Sequence, residues 1–162
     1  MEWFVRAFMK ASVVWLALGV TLGLAMAVHP LFIIYRPAHM HMVLLGFVTM
    51  MIYGTAFHVV PRFSGHPLYS RRLAGLQWWL ANVGLTVLVI GFVLALHSTL
   101  IASAALGIGG ALSATGAYFF AYNIWRTIDG PAGPRQPSQK NSPAPGKRSL
   151  PLPLGSSSPD LT

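Results

Sequence analysis

The chain has 162 residues, 54% of them hydrophobic and only 9% charged, where soluble domains carry about 25% charged residues. With a mean hydropathy of +0.60, that deficit excludes an ordinary soluble enzyme. The net charge is +8, but the basic residues sit in short clusters between long apolar runs, which argues against a nucleic-acid binder. There is no cysteine, so disulfides, thiolate metal sites and catalytic thiols are excluded.

A transmembrane helix needs roughly 20 mostly apolar residues to cross a hydrocarbon core of about 30 Å. Four segments qualify, at about 11–28, 38–60, 76–96 and 100–124, and none contains Asp, Glu, Lys or Arg. The first is expected to stop at His29-Pro30 and the second at Pro61, because proline disfavours continuing a helix. Arg6 and Lys10 before the first run, and Ala25-Met26-Ala27 near its end, have the form of a signal peptide. The apolar stretch is longer than a usual signal core, which favours an uncleaved helix.

Orientation follows from the basic residues between spans. Arg6, Lys10, Arg62, Arg71, Arg72, Arg126, Arg135, Lys140, Lys147 and Arg148 fall on one side, and only Arg36 on the other. Both termini are therefore expected to be cytoplasmic, in an all-α, four-helix transmembrane bundle that occupies residues 1–128. From 129 to 162 the character changes, with eight of the twelve prolines mixed with Ser, Gly and Lys. Such a segment cannot bury enough apolar surface to fold and reads as a disordered cytoplasmic tail.

The fourth span is rich in small residues, from Ala102 and Ala104 through Gly107, Gly109 and Gly110 to Ala114 and Gly116. Small residues let helices approach closely in lipid. The stripe suits packing inside the bundle, or a homo-oligomer through the same face.

Polar side chains in or beside a membrane span are functional candidates by default. Six histidines are the main signal. His29, His39, His41 and His97 lie at the ends of spans on the outer side, and His58 and His66 on the inner side. Four imidazoles at one depth suggest a metal or a heme, since neutral imidazole binds iron, copper and zinc. A b-type heme needs axial histidines and apolar walls; without Cys-x-x-Cys-His a c-type attachment is excluded.

His39 and His41 lie about 200° apart on a helix and cannot both point inward. The face of His39 continues through Gly46, Met50, Tyr53 and Phe57, and Gly46 would let a flat macrocycle approach the backbone. The face of His41 continues through Leu45, Val48, Ile52 and Val59 and reads as lipid-facing. His39 is thus the favoured axial ligand, with His97 as its natural partner and His41 and His29 as alternates. A different reading takes His39-Met40-His41-Met42 with Met50 and Met51 as a site for reduced copper, although methionine also fills gaps in packing. At the inner end, His58 and Arg62 lie beside Trp78, Trp79, Asn82, Tyr122 and Asn123, a setting for a quinone head group or for an interfacial belt of anchors.

The second span carries a resemblance. Arg36-Pro37-Ala38-His39-Met40-His41, Leu45-Gly46-Phe47 and the run from Tyr53 to Arg62, with His58 and Pro61 in it, resemble helix two of the heme-copper oxidase subunit I superfamily. The likeness is nearest to the C-family oxidases and nitric oxide reductases, and to short four-helix proteins described as subunit I-like. It covers about 30 residues. It implies that the histidine at the outer end of helix two is an axial ligand of a low-spin heme. Matching Pro37-x-His39 gives that role to His39, or to His41 by the His-x-His pair of the short relatives. Full oxidases have twelve or more spans, so oxygen reduction by this chain alone is not implied. The expected function is a membrane b-type heme protein of respiratory electron transfer, or of heme-linked O2 or NO chemistry, in a bacterial-type inner membrane. If it is an enzyme, it is an oxidoreductase; quinol or a respiratory redox protein is the expected partner. The alternative is a non-redox copper-binding or respiratory-complex assembly protein.

Overall fold

A computed structural model describes residues 1–96 and 99–130. His97 and, from residue 131 onward, the expected tail lie outside the described residues. The described chain is helical, and four of its helices are long and apolar enough to cross a membrane: α1 (Trp3–Val28), α2 (Pro30–Ser64), α3 (Arg71–Leu94) and α4 (Thr99–Ile128). This is the architecture of a multi-pass membrane protein. Large apolar side chains such as Val14, Leu24, Ile52 and Ile108 point outward, as expected where lipid rather than water is the solvent.

The helices overrun the apolar segments. α1 begins at Trp3, so Arg6 and Lys10 are helical, and it ends before His29 as expected. α2 continues through Pro61 to Ser64 and stops at Gly65, whose φ of 72° is left-handed. The proline forfeits one backbone bond, but the glycine ends the helix, because a positive φ is free of penalty there. Ser70 then caps α3, accepting a hydrogen bond from the Leu73 N–H at 3.2 Å, the usual role of serine at an N-cap.

α2 is not uniform. It opens as a 3-10 turn over Pro30–Tyr35, is α-helical over Arg36–His41, widens to a π-helix over Met42–Thr49, and returns to α from Met50. The Thr49 hydroxyl donates to the Leu44 carbonyl, five residues back, at 2.8 Å. π-helical stretches are rare and concentrate at functional sites.

α3 and α4 form a close hairpin. Ala74, Ala81 and Leu88, with Gln77, Gly84 and Gly91, repeat every seven residues on α3, and Ala102, Gly109, Gly116 and Asn123 do so on α4; all are buried. A Cβ on Gly109 would lie 2.5 Å from the Leu88 backbone nitrogen, so only hydrogen fits. Ala102, Gly109 and Gly116 of the small-residue stripe thus pack within the bundle, while Ala104, Gly107, Ala111 and Ala114 stay exposed. Near the basic end, an aromatic cluster locks α1, α2 and α4. Phe8 meets Tyr53 at 5.7 Å between ring centroids, and Phe120 meets Tyr53 at 4.4 Å and Phe57 at 5.3 Å. Aromatic pairs at such separations add about 0.5–1.5 kcal/mol each beyond area burial.

Candidate functional site

His39 lies half-buried between α2 and α1. Its Nδ1 is 2.9 Å from the carbonyl oxygen of Gly19. A carbonyl only accepts, so Nδ1 carries the hydrogen, and the neutral ring keeps its lone pair on Nε2. A hydrogen bond from the far ring nitrogen to a backbone carbonyl is the usual way a ligating histidine is oriented. The ring rests on Gly23, where a Cβ would come within 2.9 Å of Cε1. Gly19 and Gly23 are spaced as G-x-x-x-G, the small-residue signature of close helix approach in membranes. The signal for this seat in the sequence is the Gly19-x-x-x-Gly23 spacing, not the length of the apolar run.

His41 turns the other way. Its Nδ1 donates to the Pro37 carbonyl one turn back at 2.8 Å, and its ring packs on Phe92 of α3 at 4.8 Å between centroids. The 200° separation therefore sends the two imidazoles to different helices. Val48 and Ile52, on the expected face of His41, are exposed, but His41 itself and Leu45 are half-buried. His29 is exposed and contacts Phe32 edge-on.

Gly46, Met50, Tyr53 and Phe57 are buried along the inward face of α2. The space beside Gly46 is filled by Trp15: a Cβ there would meet Trp15 Cβ at 2.5 Å and Cγ at 2.6 Å. The glycine serves the contact between α1 and α2, and the wall expected there for a macrocycle is occupied by an indole. Met50 and Tyr53 belong to the aromatic core. Room of cofactor size lies elsewhere, in an open cavity of about 440 Å³ lined by apolar groups including Leu18, Leu22, Phe32, Tyr35, Ala38, Met42 and Val93. That volume is within the range of small-molecule pockets. His39 and His41 flank Ala38 and Met42 without themselves lining the cavity. One imidazole with its Nδ1 bonded to a carbonyl and an apolar space thus lie at the same end of α2, but the imidazole does not open into that space.

Among the described residues no three His, Asp or Glu side chains come together as a metal-binding group. His39 and His41 diverge, and Met50 is sealed in the core at 1% exposure, so the described histidines and Met50 do not converge on one copper site.

At the opposite end, His58 and Arg62 line a second cavity with His66 and Arg71. Arg62 Nη1 donates to the His58 carbonyl at 2.7 Å. The loop carrying His66 is fastened by α4. Asn123, fully buried, accepts from the Ser70 N–H at 3.0 Å and donates to the Ser70 carbonyl at 2.9 Å. Thr127 accepts from the Tyr69 N–H at 3.1 Å and donates to the Asn123 carbonyl at 2.7 Å, while His66 Nδ1 donates to the Thr127 carbonyl at 3.2 Å. The polar residues of this end therefore divide. Trp79 and Tyr122 point outward as anchors, whereas Asn123 is a clasp and Asn82 joins helices by accepting from Trp15 Nε1 at 3.3 Å. No protein-family model and no curated protein sequence matches the chain.

Proposed function

We propose that this chain is a multi-pass b-type heme protein of a bacterial-type inner membrane, with both termini cytoplasmic and His39 as an axial ligand. The observation that carries the reading is the bond from His39 Nδ1–H to the Gly19 carbonyl at 2.9 Å, which leaves Nε2 as the donor nitrogen. It joins the resemblance of α2 to helix two of the heme-copper oxidase subunit I superfamily, which implies the same role for His39, or for His41 by the His-x-His pair. Bound there, the iron would supply a one-electron redox change, serving respiratory electron transfer or heme-linked O2 or NO chemistry. The protein's part is to hold the proton on Nδ1, to seat the ring on Gly23 and to offer an apolar space. His97 remains the proposed partner ligand, quinol or a redox protein the proposed electron source, and the exposed Gly107, Ala111 and Ala114 the proposed contact of a homo-oligomer.

The copper reading has less support, because His39 rests on α1 and His41 on α3. The test is spectroscopic. His39→Ala should abolish or convert the heme spectrum while His66→Ala leaves it unchanged. A wild-type spectrum in His39→Ala would overturn His39 as the ligand, and wild-type spectra in both His39→Ala and His41→Ala would overturn the assignment to α2.

A further inference from the structure

The cavity at the basic end is not used by the heme reading. It measures about 440 Å³ and opens between the first turn of α1, the end of α2 and the start of α3. Its floor is apolar and buried: Phe4, Val5 and Phe57. Its rim holds two guanidinium groups, Arg62 and Arg71, and two imidazoles, His58 and His66, against one carboxylate, Glu2. We propose that this cavity binds the phosphate group of an anionic phospholipid, independently of any heme.

Three features favour an anion. Arg62 spends one donor on the His58 carbonyl, and a guanidinium has five. The carboxylate of Glu2 already sits on Arg71 at 3.1 Å, with side chains 42% and 74% exposed; such exposed pairs are weak, so a phosphodiester can take the place of Glu2. Glu2 makes no side-chain cap on α1, so the positive end of that helix lies beside the same opening.

Depth and floor favour a lipid over free phosphate. His39 and His58 are nineteen residues apart on α2, at most about 28 Å at the α-helical rise of 1.5 Å per residue and less across the π-helical stretch, near one hydrocarbon thickness. The cavity therefore lies at headgroup level, with aromatic and aliphatic surface beneath the charges. Basic pockets between transmembrane helices are established headgroup sites in general.

The test uses the full chain in detergent, titrated with phosphatidylglycerol and read by native mass spectrometry. At about 1 kcal/mol per basic residue near the lipid surface, Arg62→Gln should weaken retention about fivefold and Arg62→Gln with Arg71→Gln about twenty-five-fold. Arg72→Gln and Arg36→Gln should stay within about twofold. Arg62→Lys keeps the charge and covers the case where the glutamine variant fails to fold; it should retain more lipid than any neutral substitution. Equal loss in Arg72→Gln, or none in the double variant, would overturn the proposal. Inorganic phosphate should not displace the lipid at matched concentration; if it does, soluble phosphate is the ligand and the lipid assignment falls. An absorption spectrum of the same samples separates this outcome from that of the heme reading.

Discussion

Replacing Gly23 by alanine places a methyl carbon 2.9 Å from His39 Cε1 and 3.4 Å from Nδ1. Ordinary carbon contacts begin near 3.5 Å, so the ring must retreat by several tenths of an ångström. That motion lengthens the 2.9 Å bond from Nδ1 to Gly19. Losing such a bond costs about 0.5–1.5 kcal/mol, and overpacking a close contact about 1–3 kcal/mol. Alanine returns up to about 1 kcal/mol through helix propensity. The balance is a net loss of about 1–3 kcal/mol, measured as reversible unfolding in mixed micelles. Gly110→Ala is the control, because its added Cβ meets only Leu88 Cδ1 at an ordinary 3.7 Å, and it should be neutral or mildly stabilising. In a His39→Ala background the cost of Gly23→Ala should largely vanish, since contacting residues couple in a double-mutant cycle. If Gly23→Ala behaves like Gly110→Ala in both backgrounds, the seat of His39 is wrong.

Three further outcomes follow from the packing. Asn123→Leu leaves the Ser70 N–H and carbonyl without their partner and should cost about 2–3 kcal/mol, with faster proteolysis in the loop between α2 and α3. Gly109→Ala should cost at least about 2 kcal/mol, because its Cβ meets the Leu88 backbone at 2.5 Å; full stability would refute the glycine-mediated hairpin. Gln77→Leu should be neutral or stabilise by about 1–2 kcal/mol, since the side chain is fully buried with neither amide atom partnered among the described residues. A clear loss of stability would mean that the amide has a partner.

The four spans were legible because membrane crossing imposes a long apolar run, and a run of that kind survives without any knowledge of contacts. Their ends were less so: Arg6, Lys10 and Ser64 are helical although the hydropathy stops short of them, because a helix can extend into the headgroup layer. The opposed directions of His39 and His41 followed from helix geometry alone. What His39 rests on did not, because Gly19 and Gly23 belong to another helix and their spacing carries meaning only once α1 is asked what it packs against. Gly46 shows the same limit from the other side. A bare glycine face marks close approach, but the sequence does not say whether a macrocycle or Trp15 makes it. The clasp of Asn123 and Thr127 joins residues more than fifty positions apart, and the π-helical stretch of α2 has no local sequence signature at all.

The most direct test of the central claim is an absorption spectrum of the detergent-purified protein, oxidised and then reduced, with a metal assay on the same sample. Iron in the sample and sharp reduced bands of a b-type heme are expected, the bands abolished or converted in His39→Ala. A colourless wild-type protein after expression with ample heme would contradict the claim.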